Sequence, residues 1–132
     1  MDIKPGSCPN PVNTGNRRGV LPIAILGTAD FDVTQVDPAT IELVGVSPLR
    51  WANEDVATPY DDPLIDCYSC TTIRGDGFMD LTIKFNVAEF ILALPPDINN
   101  GDCVEVELIG NLLPEYGGTP IKGHDIIKII KK

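Results

Sequence analysis

The chain's 132 residues, 43% of them hydrophobic, suffice for one domain with its own core. Ten Lys and Arg against nineteen Asp and Glu leave a net charge of −9. That balance argues against nucleic acid, which is gripped by clustered cations, and against an anionic membrane surface. No run approaches the ~18 consecutive apolar residues of a membrane-spanning helix, and no signal peptide is visible.

In chain order, the opening Met1 to Pro11 is polar and loop-like, with Cys8 in "GSCPNP". Val20 to Leu26 comes next as a nearly all-apolar strand, the pattern of a central strand, with Pro22 predicting a bulge or an edge position. Asp37-Pro38 predicts a helical turn, because Asp caps and Pro suits the first helical position. Thr40 to Val46 reads as the next strand.

Trp51 to Gly75 is the longest irregular stretch, longer than compact domains ordinarily tolerate without a reason. Met79 to Phe85 then alternates apolar and polar like a strand with one buried face. Asn86 with Glu89 three residues on is a capping-box spacing. Pro95-Pro96 cannot continue a helix, so a short one is expected over 87–94. Cys103 to Leu108 and Ile126 to Ile130 complete the strands, with "GHD" at Gly123 to Asp125 expected as a turn. Residues 1–132 therefore predict one all-β domain. It is a β-sandwich of about seven or eight strands, Ig-like or jelly-roll-like, with one short helix.

Four cysteines, Cys8, Cys67, Cys70 and Cys103, permit several pairings. One of Cys67 and Cys70 can bridge to Cys8, stapling the amino terminus to the long loop. Alternatively, Cys67-x-x-Cys70 can bind Zn2+ with Cys8 as third ligand and His124 or Cys103 as fourth, or the thiols can stay reduced. A c-type haem is excluded, because Thr71 stands where a histidine would be required.

"RGDGFMDLTIKF", residues 74 to 85, joins loop chemistry to a strand. Calcium takes six to eight oxygens, and its loops place glycine at the sixth position for a sharp turn. Asp76-Gly77 fits the fifth and sixth places, the Phe78 carbonyl the seventh and Asp80 the ninth. The first place is missing immediately upstream, so an ordinary Gly-containing turn is the competing reading. Arg74-Gly75-Asp76 also spells an adhesion triplet, a three-residue match of little specificity. No catalytic residue is assigned. His124 is the only histidine, and no nucleophile or phosphate loop accompanies it. Trp51, Tyr60 and Tyr68 lie in loop-like sequence and could form a small platform for a sugar.

Taken together, "DIKPGSCPNP", "GVLPIAILGTADFDVTQVDPATIEL", "EDVATP", "DGFMDLTIKF" and "GTPIKGHDIIKII" resemble a recurrent module of bacterial and archaeal secreted and cell-surface proteins. The resemblance spans nearly the whole chain and implies an extracellular setting beside other domains, not a particular reaction. Relatives carry an uninterrupted run similar to "EDVNGDGxxDL", a calcium-type loop. Here Glu54-Asp55-Val56 is parted from Asp76 by an insertion holding Cys67 and Cys70. The resemblance thus implies Asp55 as the missing first ligand, with Asp76 and Asp80 downstream. Further oxygens would come from Asp30, Asp32 or Asp37, since Ile83 holds the twelfth place.

The expected function is a non-catalytic, Ca2+-stabilised module with a structural or adhesive role. A carbohydrate-binding module is the alternative. Another is a self-assembling surface subunit that lends its terminal strand "DIIKIIKK" to a neighbour. Its partners would be other domains of a parent surface protein, further copies of itself or a polysaccharide.

Overall fold

The computed structural model covers residues 1–132 and is built of two four-stranded sheets with one short α-helix. The first sheet joins β1 (Asp2–Ile3), β3 (Val20–Ile25), β6 (Asp80–Asn86) and β5 (Arg50–Glu54), in that spatial order. The second joins β2 (Pro11–Asn13), β8 (Pro120–Ile130), β7 (Cys103–Leu112) and β4 (Val36–Leu43). All neighbours run antiparallel except β2 and β8.

Alternation decides which side chains meet between the sheets. Leu81, Ile83 and Phe85 of β6 and Ile23 of β3 face Val106 and Leu108 of β7 and Ile127 and Ile129 of β8 in one buried cluster. Phe90 and Ile91 join it from α1 (Val87–Ala93). Asn86 caps α1 as expected, its side-chain oxygen accepting the Glu89 N–H at 3.0 Å.

Pro22 lies in an interior strand, between β1 and β6. Its carbonyl accepts from the Lys4 N–H at 2.8 Å, and a strand residue's N and O point the same way. The missing N–H therefore falls just beyond the end of β1, where no ladder bond is needed.

Pro22 thus marks neither the bulge nor the edge position expected of it, and three further sequence expectations are corrected. Asp37-Pro38 starts no helix; it belongs to β4, where the register against β7 shifts between Asp37 and Glu42. A single turn of 3-10 helix lies just upstream at Val33–Gln35, capped by Asp32. "GHD" is no turn but the middle of β8, and a Cβ on Gly123 would come within 2.9 Å of the Met1 side chain. The terminal strand is not a spare edge, because β8 runs between β2 and β7.

Candidate functional site

Residues 55 to 79 carry no strand or helix, yet they are tied down from both sides. Two disulfides hold the loop. Cys8–Cys70 joins it to the chain just before β2, and Cys67–Cys103 joins it to the first residue of β7. Sequence separations of 62 and 36 residues correspond, on the chain-entropy account, to about 4 kcal/mol each. The expected staple to Cys8 is thus present, through Cys70. The second bridge uses the one cysteine that sits in a strand-like run. All four thiols are consumed, so no thiolate remains to ligate Zn2+. Disulfides persist where the environment oxidises, and two of them indicate a compartment other than the cytoplasm.

Aspartates fasten the loop to the first sheet. Asp80 opens β6 and is fully buried. Its Oδ1 accepts the Gly27 N–H at 2.9 Å, and its Oδ2 accepts the Val56 and Ala57 N–H groups at 2.9 and 3.1 Å. The carboxylate thus clamps the start of the loop and the end of β3 onto β6. Three donors satisfy a buried anion that would otherwise be costly. Gly27 permits the approach, since a Cβ there would collide with the Met79 carbonyl.

Asp55 makes a second, exposed clasp. Its Oδ1 accepts from Asp76 N–H at 3.0 Å and its Oδ2 from Gly77 N–H at 2.8 Å. Gly75 has only 2.9 Å from its missing Cβ to Asp55 Oδ2, and Gly77 turns with φ +89°. Asp76 Oδ1 in turn accepts the Phe78 N–H at 3.0 Å. Asp55 and Asp76 are therefore in direct contact across the insertion, the Asp55 carboxylate accepting the Asp76 backbone N–H. Arg74 does not project freely: its guanidinium packs over Gly6, and its carbonyl accepts the Thr58 hydroxyl.

The remaining sequence-predicted donors are dispersed. Asp32 spends Oδ1 on the Thr34 N–H and hydroxyl, which hold its carboxyl below the usual pKa. Asp37 Oδ1 accepts the Ala39 N–H within β4. Asp30 lies exposed on the turn after β3. No three His, Cys, Asp or Glu side chains gather as a metal-binding group. The donors that do come together are Asp55 and Asp76, with the Phe78 backbone beside them.

The three aromatic residues have different surroundings. Trp51 stands opposite Ile83 on the edge strand β5, and Tyr68 lies under Lys128 of the other sheet, its hydroxyl 3.1 Å from Nζ. Tyr60 instead lines a cavity between the sheet ends. His124 points between two glutamates of β7, with Nδ1 3.0 Å from Glu105 and Nε2 3.6 Å from Glu107.

That cavity, of about 330 Å3, holds two acids that sequence reading passed over, Asp2 and Asp125. Asp125 accepts the Ile3 N–H and the Asn10 amide on Oδ2 and the Ile126 N–H on Oδ1. Burial nonetheless pushes its pKa up. Asp2 is 8% exposed and its Oδ2 has no partner. Burial, then the Asp125 charge, raise its pKa to about 7 against the opposing pull of the Met1 amine. The available signal was Asp125 inside "GHDIIKII", an acid abutting an apolar run. It was masked by the turn-like Gly-His-Asp.

No family model matches the chain, and no curated protein or solved structure matches it.

Proposed function

We propose that the chain is a non-catalytic structural module of an extracellular or cell-surface protein, built to keep its longest loop fixed. The observation that carries this reading is the fastening of residues 55 to 79 by two disulfides and by the Asp55 and Asp80 clasps. Loops left free to act on substrates are drawn from the weakly held parts of a fold. This one is bonded to both sheets. An oxidising exterior suits the disulfides, and the charge of −9 suits a soluble surface.

Calcium is proposed as an additional fastener at the Asp55–Asp76 turn. Asp55 accepts two backbone N–H groups and Asp76 accepts one, and both carboxylates keep further acceptor capacity. The Phe78 carbonyl and water would supply further oxygens, while Asp80, engaged by three N–H donors, would support the site from behind. A melt with and without chelator, alongside elemental analysis, tests this. Calcium at about 100 times Kd stabilises by about 2.7 kcal/mol, so its removal should lower the midpoint visibly. Asp55→Ala should abolish that difference; an unchanged wild-type midpoint sinks the calcium reading and leaves the disulfide-fastened module standing.

Self-assembly is a second reading, moved by the fold from β8 to β5. β5 is a sheet edge, and all five of its residues are exposed. Paired antiparallel with a second copy about Ala52, Arg50 of one strand would oppose Glu54 of the other.

A further inference from the structure

Beyond that structural role, we infer that the cavity between the sheet ends is a binding site for a small organic amine, with the ammonium held at Asp2 and Asp125. The buried side chains have just two polar atoms without a hydrogen-bond partner, Asp2 Oδ2 and Asn10 Oδ1, and both are acceptors. Both residues adjoin Asp125. Asn10 donates its amide to Asp125 Oδ2, and Asp2 feels the Asp125 charge. Of the two residues Asp2 lines the cavity, and no donor of the chain, the nearby Met1 amine included, hydrogen-bonds its carboxyl. Asp2 is more than nine-tenths buried.

An ammonium offers three donors and no acceptor, which complements a surplus of acceptors. A hydroxyl supplies a single donor and brings lone pairs of its own. The rest of the wall fixes the other half of the ligand. Ile25, Phe31, Leu64, Leu108 and Ile121 present apolar surface, so a charged head should carry a hydrocarbon or aromatic body. Facing Asp2 are Asp125 of β8, Asp80 of β6 and the Met1 amine, with His124 and Lys122 also on the cavity wall. The Met1 amine is itself kept below its usual pKa by burial, which weakens it as a resident counter-charge.

The test is a titration of the intact protein with 2-phenylethylamine, read by backbone amide NMR shifts at Ile3, Tyr60 and Gly123. The parallel titrant is 2-phenylethanol, which has the same body without the charge. Saturable shifts are expected with the amine, at least about tenfold tighter than with the alcohol. Asp2→Asn should erase that preference, weakening the amine about tenfold or more while leaving the alcohol unchanged, as loss of a charge-assisted hydrogen bond requires. Asp2 accepts no hydrogen bond, so the variant should keep the wild-type amide spectrum elsewhere. Were it to misfold, the amine-to-alcohol ratio in the wild type still decides. Equal affinity for amine and alcohol, or no saturation with either, overturns the assignment. So does Ca2+ moving the same amides at lower concentration than the amine, which would make this a metal site.

Discussion

Replacing Asp2 by asparagine removes a carboxyl that accepts no hydrogen bond and whose charged form burial disfavours, and the effect on stability should depend on pH. The Asp2 carboxyl rises from 3.8 to about 7 on folding, first through burial and then through the Asp125 charge. In the unfolded chain it ionises near pH 4; in the native state it keeps its proton until about pH 7. Between these values the native state binds more protons, so wild-type stability falls as pH rises through the window and levels off above it. The full excursion, at about 1.4 kcal/mol per pH unit, is about 4 kcal/mol. Water reaching the acid through the cavity mouth reduces this to about 2 kcal/mol. The asparagine side chain carries no such penalty, and its amide can donate toward Asp125. Asp2→Asn should therefore match the wild type near pH 4 and exceed it by about 1–2 kcal/mol at pH 8. Asp125, whose pKa is also raised, keeps some of the slope in both proteins. Urea unfolding at half-unit intervals from pH 4 to 8 measures the difference. A constant offset between the two proteins across that range would refute a raised carboxyl pKa at this position.

The Asp80 clamp yields the opposite sign. Asp80→Ala strands the Gly27, Val56 and Ala57 N–H groups, and with each unsatisfied buried donor costing about 1–3 kcal/mol the loss should exceed about 3 kcal/mol. Asp80→Asn keeps one acceptor and should lose less; a drop under about 1 kcal/mol for the alanine variant in urea would show the clamp to be idle. Assembly through β5 predicts a concentration-dependent dimer by light scattering. Arg50→Glu should disrupt it and Arg50→Glu with Glu54→Arg should restore it, whereas a persistent wild-type monomer disposes of that reading.

The core strands were legible because alternation and apolar runs are the direct imprint of burial. β6 and β7 follow that pattern, and the cap at Asn86 places α1 to within a residue. β5 was not legible, because "RWANE" is an edge strand with no buried face to leave a pattern. β1 and β2 are two and three residues long, too short for any periodicity. The Asp55–Asp76 contact was read through the insertion because the flanking phrases match an unbroken loop. The Cys67–Cys103 bridge could not be read. Spacing does not say which thiols a fold brings within reach, and Cys103 gives the same strand signal whether free or paired.

The aspartates show why composition alone could not locate a site. Asp80 and Asp125 are buried and each accepts three hydrogen bonds. Asp55 is exposed and accepts two. Each of these carboxylates holds one segment's N–H groups against another, and each is answered by its donors. Asp2 is also buried, at the cavity wall, and no hydrogen-bond donor of the chain answers it. A carboxylate in that position lowers stability above pH 7 and fastens nothing, so packing does not account for it. What does account for it is a donor arriving from outside the chain. For that reason the cavity, rather than the more conspicuous loop, is where the fold is prepared for a ligand.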